Sequence, residues 1–308
     1  MKSILVIGGS GFVGQYFALQ TQQYNIHLTY GSNNILCTEF EKIVKLDITN
    51  FNEVNEKVNE IQPSIIIHLA AITNLEYCEQ NKFKTWEVNV LGLKNVIQAA
   101  NKINARLVFL STDLVFSGNK GMYNEEDKAN PICYYGMTKL EGENIVKDSC
   151  ENYCILRSSL IFGMDRRTHK QNFSETLIAH LLINKEIRLF KDEYRTPIYI
   201  KNLCSIILEI AISDKLQGIY HVSGNERVSR FEFGLIASSL IKNSRHLIFP
   251  TLVKSFQHTY LRPQDCSLSN MKLKKVMKID GMTIRDGIFD LLDSLQKITE
   301  QSLPENAS

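Results

Sequence analysis

The sequence lacks a marked excess of charge of either sign, because 35 lysines and arginines stand against 33 aspartates and glutamates in 308 residues, a formal net charge of +2. Its basic residues are scattered, whereas a protein that follows a nucleic-acid backbone normally has a clustered basic face. Long hydrophobic runs are also missing. The apolar run that ends at Gly8 is too short for a signal peptide or a membrane span, and no later run is long enough. We therefore expect a soluble, cytoplasmic protein with no nucleic-acid partner and no membrane partner.

Cysteine is too sparse and too irregularly spaced for a disulfide framework. The seven cysteines are an odd number without a repeating spacing. Cys150 and Cys154 lie one turn apart if their segment is helical, but no second pair completes a zinc site. The sequence therefore predicts buried free thiols and no bound metal.

Short β-branched runs alternate with amphipathic segments through the first half of the chain, a pattern typical of parallel βαβ units. The runs are apolar throughout, as expected for strands that helices cover on both faces. The predicted strands are about 3–7, 26–30, 43–46, 64–69, 106–111 and 152–157. The predicted helices include Gly11–Tyr24, Lys84–Ile103 and Pro131–Asp148, followed by segments near 173–184, 201–213, 230–242 and 283–298.

This order of elements predicts an α/β fold, a doubly wound parallel (Rossmann) sheet with a smaller substrate-binding lobe. We expect residues 1–160 plus about 196–222 to form a dinucleotide-binding domain. Residues about 161–195 plus 223–308 would then form a discontinuous substrate domain.

A glycine-rich turn follows the first predicted strand and opens a predicted helix. Its spacing fits both G-x-x-G-x-x-G and G-x-G-x-x-G. Glycines allow a tight turn and let the backbone approach a pyrophosphate, whose charge is held by free N–H groups at the helix N-terminus. A glycine turn without a ligand is the alternative, which the strand–turn–helix context disfavours. The expected cofactor-binding residues of this turn are Gly8, Ser10, Gly11, Phe12, Val13 and Gly14.

The choice of dinucleotide is usually decided after the second strand. An acidic residue there binds the ribose 2′-hydroxyl of NAD and repels the 2′-phosphate of NADP. The segment Thr29–Asn34 has neither an acidic residue nor an arginine, and Ser32, Asn33 and Asn34 could hydrogen-bond to either cofactor. We expect NADP(H) to be favoured, with NAD(H) also compatible.

Two further segments at predicted strand ends are candidates for the cofactor site. Asp47, next to Ile48, could accept a hydrogen bond from the adenine amino group or cap the following helix, and Thr49 or Asn50 could cap that helix equally well. The small side chains of Ala70–Ala71 would let the cofactor lie against the backbone.

The chemistry is carried by Ser111-Thr112-Asp113 at a strand end and by Tyr135 and Lys139 on a predicted helix. Tyr135 and Lys139, at i and i+4, share one helix face. A free tyrosine has a pKa near 10, so an ammonium group beside it is expected to favour the phenolate, and the same lysine can hold the nicotinamide ribose. Thr112 would bind the substrate carbonyl, while a hydride from the nicotinamide and a proton from Tyr135 complete a ketone reduction. Tyr-x-x-x-Lys alone is often a solvated helix face, but the glycine turn and Ser-Thr-Asp strengthen the prediction.

These motifs resemble the extended short-chain dehydrogenase/reductase superfamily and, within it, the dTDP-4-dehydrorhamnose reductase family. The resemblance spans about residues 1–275. The segments that carry it are Gly8–Gly14, His68–Ala71, Ser111–Gly118, Tyr135–Glu143, Arg195–Ile200, Gly218–Gly224 and Leu261–Pro263.

The resemblance implies an NAD(P)H-dependent oxidoreductase of dTDP-rhamnose biosynthesis that reduces the 4-keto group of a nucleotide-linked deoxyhexose. It implies Thr112, Tyr135 and Lys139 as catalytic residues, and it puts Asp113 and Arg262 near the nucleotide-sugar substrate. A homodimer is compatible with it.

The chain departs from the pattern of these reductases at one position and from that of related dehydratases at another. Leu160 follows Arg157-Ser158-Ser159 where the reductases typically carry tryptophan. Leu114 follows Asp113 where 4,6-dehydratases commonly carry an acidic residue, so a dehydratase is disfavoured. The family also includes the regulatory β subunit of methionine adenosyltransferase, which keeps the tyrosine and the lysine. The alternative function is therefore a non-catalytic, NADP-binding regulatory subunit.

Overall fold

A computed structural model describes residues 2–20, 24–31, 42–164, 172–256, 260–278 and 281–301. Seven parallel strands form its central sheet, in the order β11-β6-β5-β4-β1-β2-β3, and six shorter strands form three pairs beside it. In chain order the strands are β1 Ser3–Ile7, β2 Asn25–Tyr30, β3 Ile43–Lys45, β4 Ile65–His68, β5 Arg106–Thr112, β6 Tyr153–Ser158, β7 Ile161–Phe162, β8 Ile187–Phe190, β9 Tyr194–Arg195, β10 Ile198–Tyr199, β11 Gly218–Val222, β12 Val228–Ser229 and β13 Ile248–Thr251.

Helices cover both faces of the sheet. In chain order they are α1 Phe12–Gln20, α2 Phe51–Ile61, α3 Leu75–Gln80, α4 Lys82–Trp86, α5 Leu93–Lys102, α6 Tyr134–Ser149, α7 Phe173–Leu182, α8 Ile200–Ile212, α9 Arg230–Ser238, α10 Met271–Val276 and α11 Ile284–Gln301.

The strands are apolar throughout because each face of the sheet belongs to a different core. Ile4 and Val6 of β1 pack into the core formed with α1 and α8, whereas Leu5 and Ile7 pack into the core formed with α2, α5 and α6. This two-sided burial is what the continuous hydrophobic runs indicate. The predicted α/β fold with a doubly wound parallel sheet is confirmed.

The strand order creates a crevice at the centre of the sheet. β1 pairs with β2 on one side and with β4 on the other, so the connections after β1 and after β4 diverge. In open parallel sheets, ligands bind outside the carboxyl ends of the strands at such a reversal. The glycine turn after β1 lies at this point.

The seventh strand is contributed late in the chain. β11 pairs with β6 along Gly218–Val222 after an excursion of about 60 residues. Parts of the segment between β6 and β11, together with parts of the chain after β11, form a smaller lobe. In this lobe β8 pairs with β13, and α9 packs on both strands. Phe162, Leu177 and Phe233 join the same hydrophobic cluster as the α1–α8 face of the sheet. The division into two domains at the stated residue limits stays a prediction.

The predicted helix Lys84–Ile103 is wrong in one respect, because it is not a single regular α-helix. A π-helical segment, Glu87–Gly92, separates α4 from α5. The side chain of Asn89 in this segment accepts a hydrogen bond from the N–H of Ile72 at 2.8 Å and donates to its carbonyl oxygen at 3.0 Å. The wider turn thus ties the helix to the loop after β4.

The remaining predictions on composition concern thiols, metals and membranes. Cys150 directly follows α6 and Cys154 lies in β6, so the two do not share a helix face; all six cysteines in the described part of the chain are buried and free. The described residues contain no cluster of His, Cys, Asp or Glu that could hold a metal ion. Within the same ranges, no helix is long and apolar enough to cross a membrane.

Candidate active site

The glycine turn has the conformation that a bound pyrophosphate requires. Gly8 has φ of +90°, and a Cβ atom there would lie 2.7 Å from the backbone nitrogen of Ala70. The turn is closed by a hydrogen bond from the N–H of Gly11 to the carbonyl oxygen of Gly8 at 3.0 Å, and α1 begins at Phe12. The first N–H groups of a helix have no partner within it and attract anions.

One cavity of about 450 Å³ extends from this turn. Five of the six expected residues of the turn line it, and Ala71 lies opposite. Thr112, Tyr135 and Lys139 line its middle, and three arginines line its far end. The five lining residues of the turn are Gly8, Gly11, Phe12, Val13 and Gly14.

Other expected cofactor contacts do not line the cavity. Ser10 uses its carbonyl oxygen to accept a hydrogen bond from the side chain of Gln15, and Ala70 packs its backbone under Gly8. The segment with Ser32, Asn33 and Asn34 lies outside the described residues.

Asp47 and Ile48 lie beside the sheet edge and also do not line the cavity. Asp47 is exposed, and its carboxylate accepts hydrogen bonds from the N–H and the hydroxyl of Thr49, which hold its pKa below the usual value despite partial burial. The cap of α2 is Asn50, so the capping alternative for Asp47 is wrong. Ile48 is buried against Gly92.

The two elements that carry the candidate catalytic residues meet closely. Thr112 ends β5, and Tyr135 lies in the first turn of α6. Gly136 allows this approach, because a Cβ atom there would clash with the carbonyl oxygen of Leu114 in the loop after β5. As a result, the hydroxyl groups of Tyr135 and Thr112 lie close enough to interact.

Burial controls the protonation of the two titrating groups. It raises the pKa of the Tyr135 hydroxyl, and the nearby charge of Asp113 raises it further. Burial lowers the pKa of Lys139 to about 7, while Glu143 acts in the opposite direction. The expectation that Lys139 favours a Tyr135 phenolate is therefore wrong for this state of the site, in which Tyr135 keeps its proton.

Asp113 is buried and forms several contacts. Its carboxylate accepts hydrogen bonds from Thr112 and Ser159, both at 3.2 Å, and forms an ion pair with Arg195, whose Nε lies at 3.3 Å. Burial raises its pKa, although the charge of Arg195 acts to lower it. Asp113 therefore holds Thr112 and Arg195 in place as well as lining the cavity.

The far end of the cavity contains a cluster of charges that we call the arginine end: Glu193, Arg195, Arg230 and Arg262. Glu193 is buried, and its carboxylate lies 3.5 Å from Arg195, 3.5 Å from Arg230 and 2.6 Å from Arg262. Burial would raise the pKa of Glu193, but the three arginines hold it at about 2. Three guanidinium groups thus face two carboxylates, those of Glu193 and Asp113, leaving one positive charge in excess.

Several residues of the site were not given a role from the sequence alone. No motif identifies Glu193 or Arg230, and Arg195 belongs to a segment that carries the family resemblance but has no role implied by it. Glu143 and Ser111 also belong to matching segments; Ser111 lines the cavity, and its hydroxyl donates to the buried carboxylate of Glu143 at 2.6 Å. Their positions in those segments were the only available signal.

The chain is similar to known proteins in both sequence and structure. The family model described as "RmlD substrate binding domain" matches residues 1–297. A dTDP-4-dehydrorhamnose reductase of Aggregatibacter actinomycetemcomitans is 28% identical over 298 residues, 91% of this chain and 94% of the relative. The methionine adenosyltransferase 2 subunit beta of Mus musculus is 27% identical over 298 residues, 94% of this chain and 87% of the relative. The crystal structure of dTDP-4-dehydrorhamnose reductase from Bacillus anthracis in complex with NADP superposes with a TM-score of 0.84 at 28% identity, covering 96% of this chain and 100% of that one.

Proposed function

The chain belongs to the RmlD substrate binding domain family, and from this membership we propose that it reduces the 4-keto group of a nucleotide-linked deoxyhexose with a nicotinamide cofactor. One observation carries the proposal. Thr112, Tyr135 and Lys139 stand together in the middle of a cavity whose two ends both suit phosphate groups: the glycine turn at one end and the arginine end at the other. A dinucleotide and a nucleotide sugar can therefore meet at Tyr135.

The cofactor fits the residues at the first end. The backbone N–H groups from Phe12 to Gly14 would hold the pyrophosphate, and Lys139 with Tyr135 would hold the nicotinamide ribose. When bound, the reduced cofactor supplies the hydride. We propose NADP(H) as the favoured cofactor and NAD(H) as an acceptable one, in line with the NADP complex of the relative from Bacillus anthracis.

Tyr135 is the proton donor in this reaction. Its raised pKa keeps the phenol protonated, which suits a group that must give a proton to the substrate oxygen during reduction. Thr112 has a single hydroxyl proton, which it donates to Asp113, while its oxygen accepts from the N–H of Leu114 at 3.2 Å. To bind a substrate carbonyl, the Thr112 hydroxyl must turn from Asp113 towards the cavity.

The sugar nucleotide occupies the second end. Ser158, Ser159 and Leu160 line the cavity next to Tyr135, where the deoxyhexose would lie. Arg230 and Arg262 then face its diphosphate, because guanidinium groups bind phosphate oxygens in well-defined geometry. Leu160, smaller than the tryptophan of the related reductases, would contact the sugar.

The test is NADPH consumption with dTDP-4-dehydrorhamnose, comparing the wild type with Tyr135→Phe. We expect turnover to fall by about 10²- to 10⁴-fold, the usual contribution of general acid catalysis. The NADPH affinity should fall far less than turnover, because Lys139 still holds the nicotinamide ribose, and the melting temperature should change little, because the substitution removes one oxygen atom. Unchanged turnover in Tyr135→Phe would contradict the mechanism.

A second candidate is supported by the likeness to the methionine adenosyltransferase 2 subunit beta. In that case the chain would bind NADP at the same glycine turn and regulate a partner enzyme without turnover. A wild-type protein that binds NADPH tightly but reduces no keto-sugar nucleotide would favour this function.

We further propose that the protein acts in the cytoplasm as a homodimer. Support for self-association comes from α4, where Phe83 is 83% exposed and Trp86, three residues later, is 37% exposed. Exposed aromatic side chains of this kind often mark a contact surface. Light scattering of the wild type and of Phe83→Ser tests the dimer, which the substitution should weaken.

A further inference from the structure

A buried carboxylate lies behind the catalytic lysine. Glu143 is one helical turn after Lys139 on α6 and has no exposed surface. The hydroxyl of Ser111 donates to it at 2.6 Å, and Arg157 donates through Nε at 3.0 Å and through Nη2 at 2.7 Å. An acidic residue is almost never fully buried unless it is paired, and Ser111 and Arg157 are the partners of Glu143.

Lys139 is itself buried, with 3% of its surface exposed, and depends on its neighbours for its charge. From β4 it faces His68, and from β5 the ring of Phe109, whose centroid lies 4.0 Å from Nζ; on its own helix Tyr135 and Glu143 lie one turn before and one turn after it. Arg157 of β6 lies on the far side of Glu143 and contributes a positive charge. Among these described groups, Glu143 is the one that brings a negative charge.

We propose that Glu143 is a positioning residue whose carboxylate, fixed by Ser111 and Arg157, supplies the counter-charge that keeps Lys139 an ammonium group in its buried site. The inference rests on the proposed function only in giving Lys139 a role at the cofactor. A neutral lysine amine would lose most of its attraction for a dinucleotide, and burial alone drives Lys139 towards that neutral form. Glu143, which does not line the cavity, opposes this effect.

The experiment compares two substitutions of the same residue. Glu143→Gln keeps the length of the side chain and an oxygen for Ser111 but removes the charge, whereas Glu143→Asp keeps the charge and shortens the side chain. The titration of Lys139 is followed by NMR on protein with ¹³C-labelled lysine, and its signal is identified by its loss in Lys139→Met. We expect Glu143→Gln to lower the titration midpoint by about one pH unit, and Glu143→Asp to stay near the wild type.

The pH dependence of NADPH affinity gives a second measurement. The pH above which affinity declines should move down in Glu143→Gln by the same amount as the NMR midpoint. Because a buried guanidinium without a partner can prevent folding, the double variant Glu143→Gln/Arg157→Gln serves if the single variant does not fold. Its midpoint should also fall, because Glu143 is the charge that acts on Lys139.

A midpoint unchanged in Glu143→Gln, or lowered equally in Glu143→Asp, would overturn the proposal and leave Glu143 a purely structural residue. Neither measurement uses a sugar substrate. Their outcome is therefore independent of whether the protein reduces a keto sugar, and a failure of the proposed function would be seen only in turnover.

Discussion

Arg230 differs from the other arginines of the cavity in having a guanidinium nitrogen, Nη1, that is buried without a hydrogen-bond partner among the described residues. An unpaired buried donor is costly, by about 1–3 kcal/mol, so such a group commonly serves a ligand. Arg230 also lies over the ring of Phe173 at 4.3 Å, which fixes its orientation. It is therefore the arginine most suited to a phosphate oxygen of the nucleotide sugar.

We expect Arg230→Gln to raise KM for the nucleotide sugar by roughly 10- to 100-fold, equal to the loss of one charged hydrogen bond of about 1.5–3 kcal/mol. Turnover at saturation and NADPH affinity should stay near the wild type, because the glycine turn is at the other end of the cavity. Arg227→Gln is the matched control: Arg227 pairs with Asp265 and does not line the cavity. Equal effects of both variants would show that Arg230 does not contact the substrate.

The arginine end also shows why part of the site could not be predicted. Tyr135 and Lys139 lie four residues apart and could be recognised together from local spacing. Glu193 and Arg230 are 37 residues apart and Arg230 and Arg262 are 32 apart, and of the three only Arg262 lies in a segment that carries the family resemblance. Only the fold brings their side chains together, so no local pattern indicates the cluster.

Among the helices and strands, the sequence predicts correctly those whose formation depends on burial alone. Strands such as β4, with three consecutive isoleucines covered on both sides, were predicted almost to the residue. The π-helical segment Glu87–Gly92 was not predicted, because it depends on hydrogen bonds between Asn89 and Ile72, 17 residues away in the loop after β4. The sequence predicts that the residues of β11 belong to the dinucleotide-binding domain, but the pairing of β11 with β6 joins residues more than 60 positions apart.

The turn between β1 and α1 makes a prediction at this scale. Gly11→Asp should abolish NADPH binding while leaving the protein folded, because a Cβ atom at Gly11 meets only the carbonyl oxygen of Gly8, at 3.1 Å. The added carboxylate would occupy the helix N-terminus and repel the pyrophosphate. Fluorescence titration of NADPH, with circular dichroism to verify folding, measures both effects.

Gly11→Ala is the control, because it adds a Cβ atom at the same position but no negative charge. It should bind NADPH much more tightly than Gly11→Asp does. NADPH affinity retained by the aspartate variant would remove this turn from the cofactor site.

For the molecule as a whole, two buried histidines make stability depend on pH. Burial lowers the pKa of His68 and of His221 to about 3, helped by the charges of Lys139 and Arg157 respectively. An unfolded histidine binds a proton below about pH 6.5, so between pH 3 and 6.5 the unfolded chain holds more protons than the native one. The free energy of unfolding therefore falls as the pH drops through this range.

Each histidine should contribute about 1.4 kcal/mol per pH unit to this fall. We expect His221→Gln to show a shallower decline between pH 6.5 and 4.5 than the wild type, by about that slope. Urea unfolding at a series of pH values measures it, and any contribution from Glu193 is shared by both proteins and cancels in the comparison. Parallel curves for the wild type and the variant would show that His221 is not the source.

β11 is translated about 60 residues after β6, the strand with which it pairs, and this delay affects the nascent chain. When residues up to Ser158 have left the ribosome, β6 is the edge of an incomplete sheet, with the backbone groups that will later bind Gly218–Val222 unpaired. At about 5–20 residues per second, translation of the intervening segment takes roughly 3 to 13 s. During that time the nascent chain presents a long apolar edge, which includes Ile155 and Leu156, of the kind that pairs with other chains. A messenger truncated before codon 218 should therefore yield aggregates or chaperone-bound product, whatever the quality of the cofactor site it encodes.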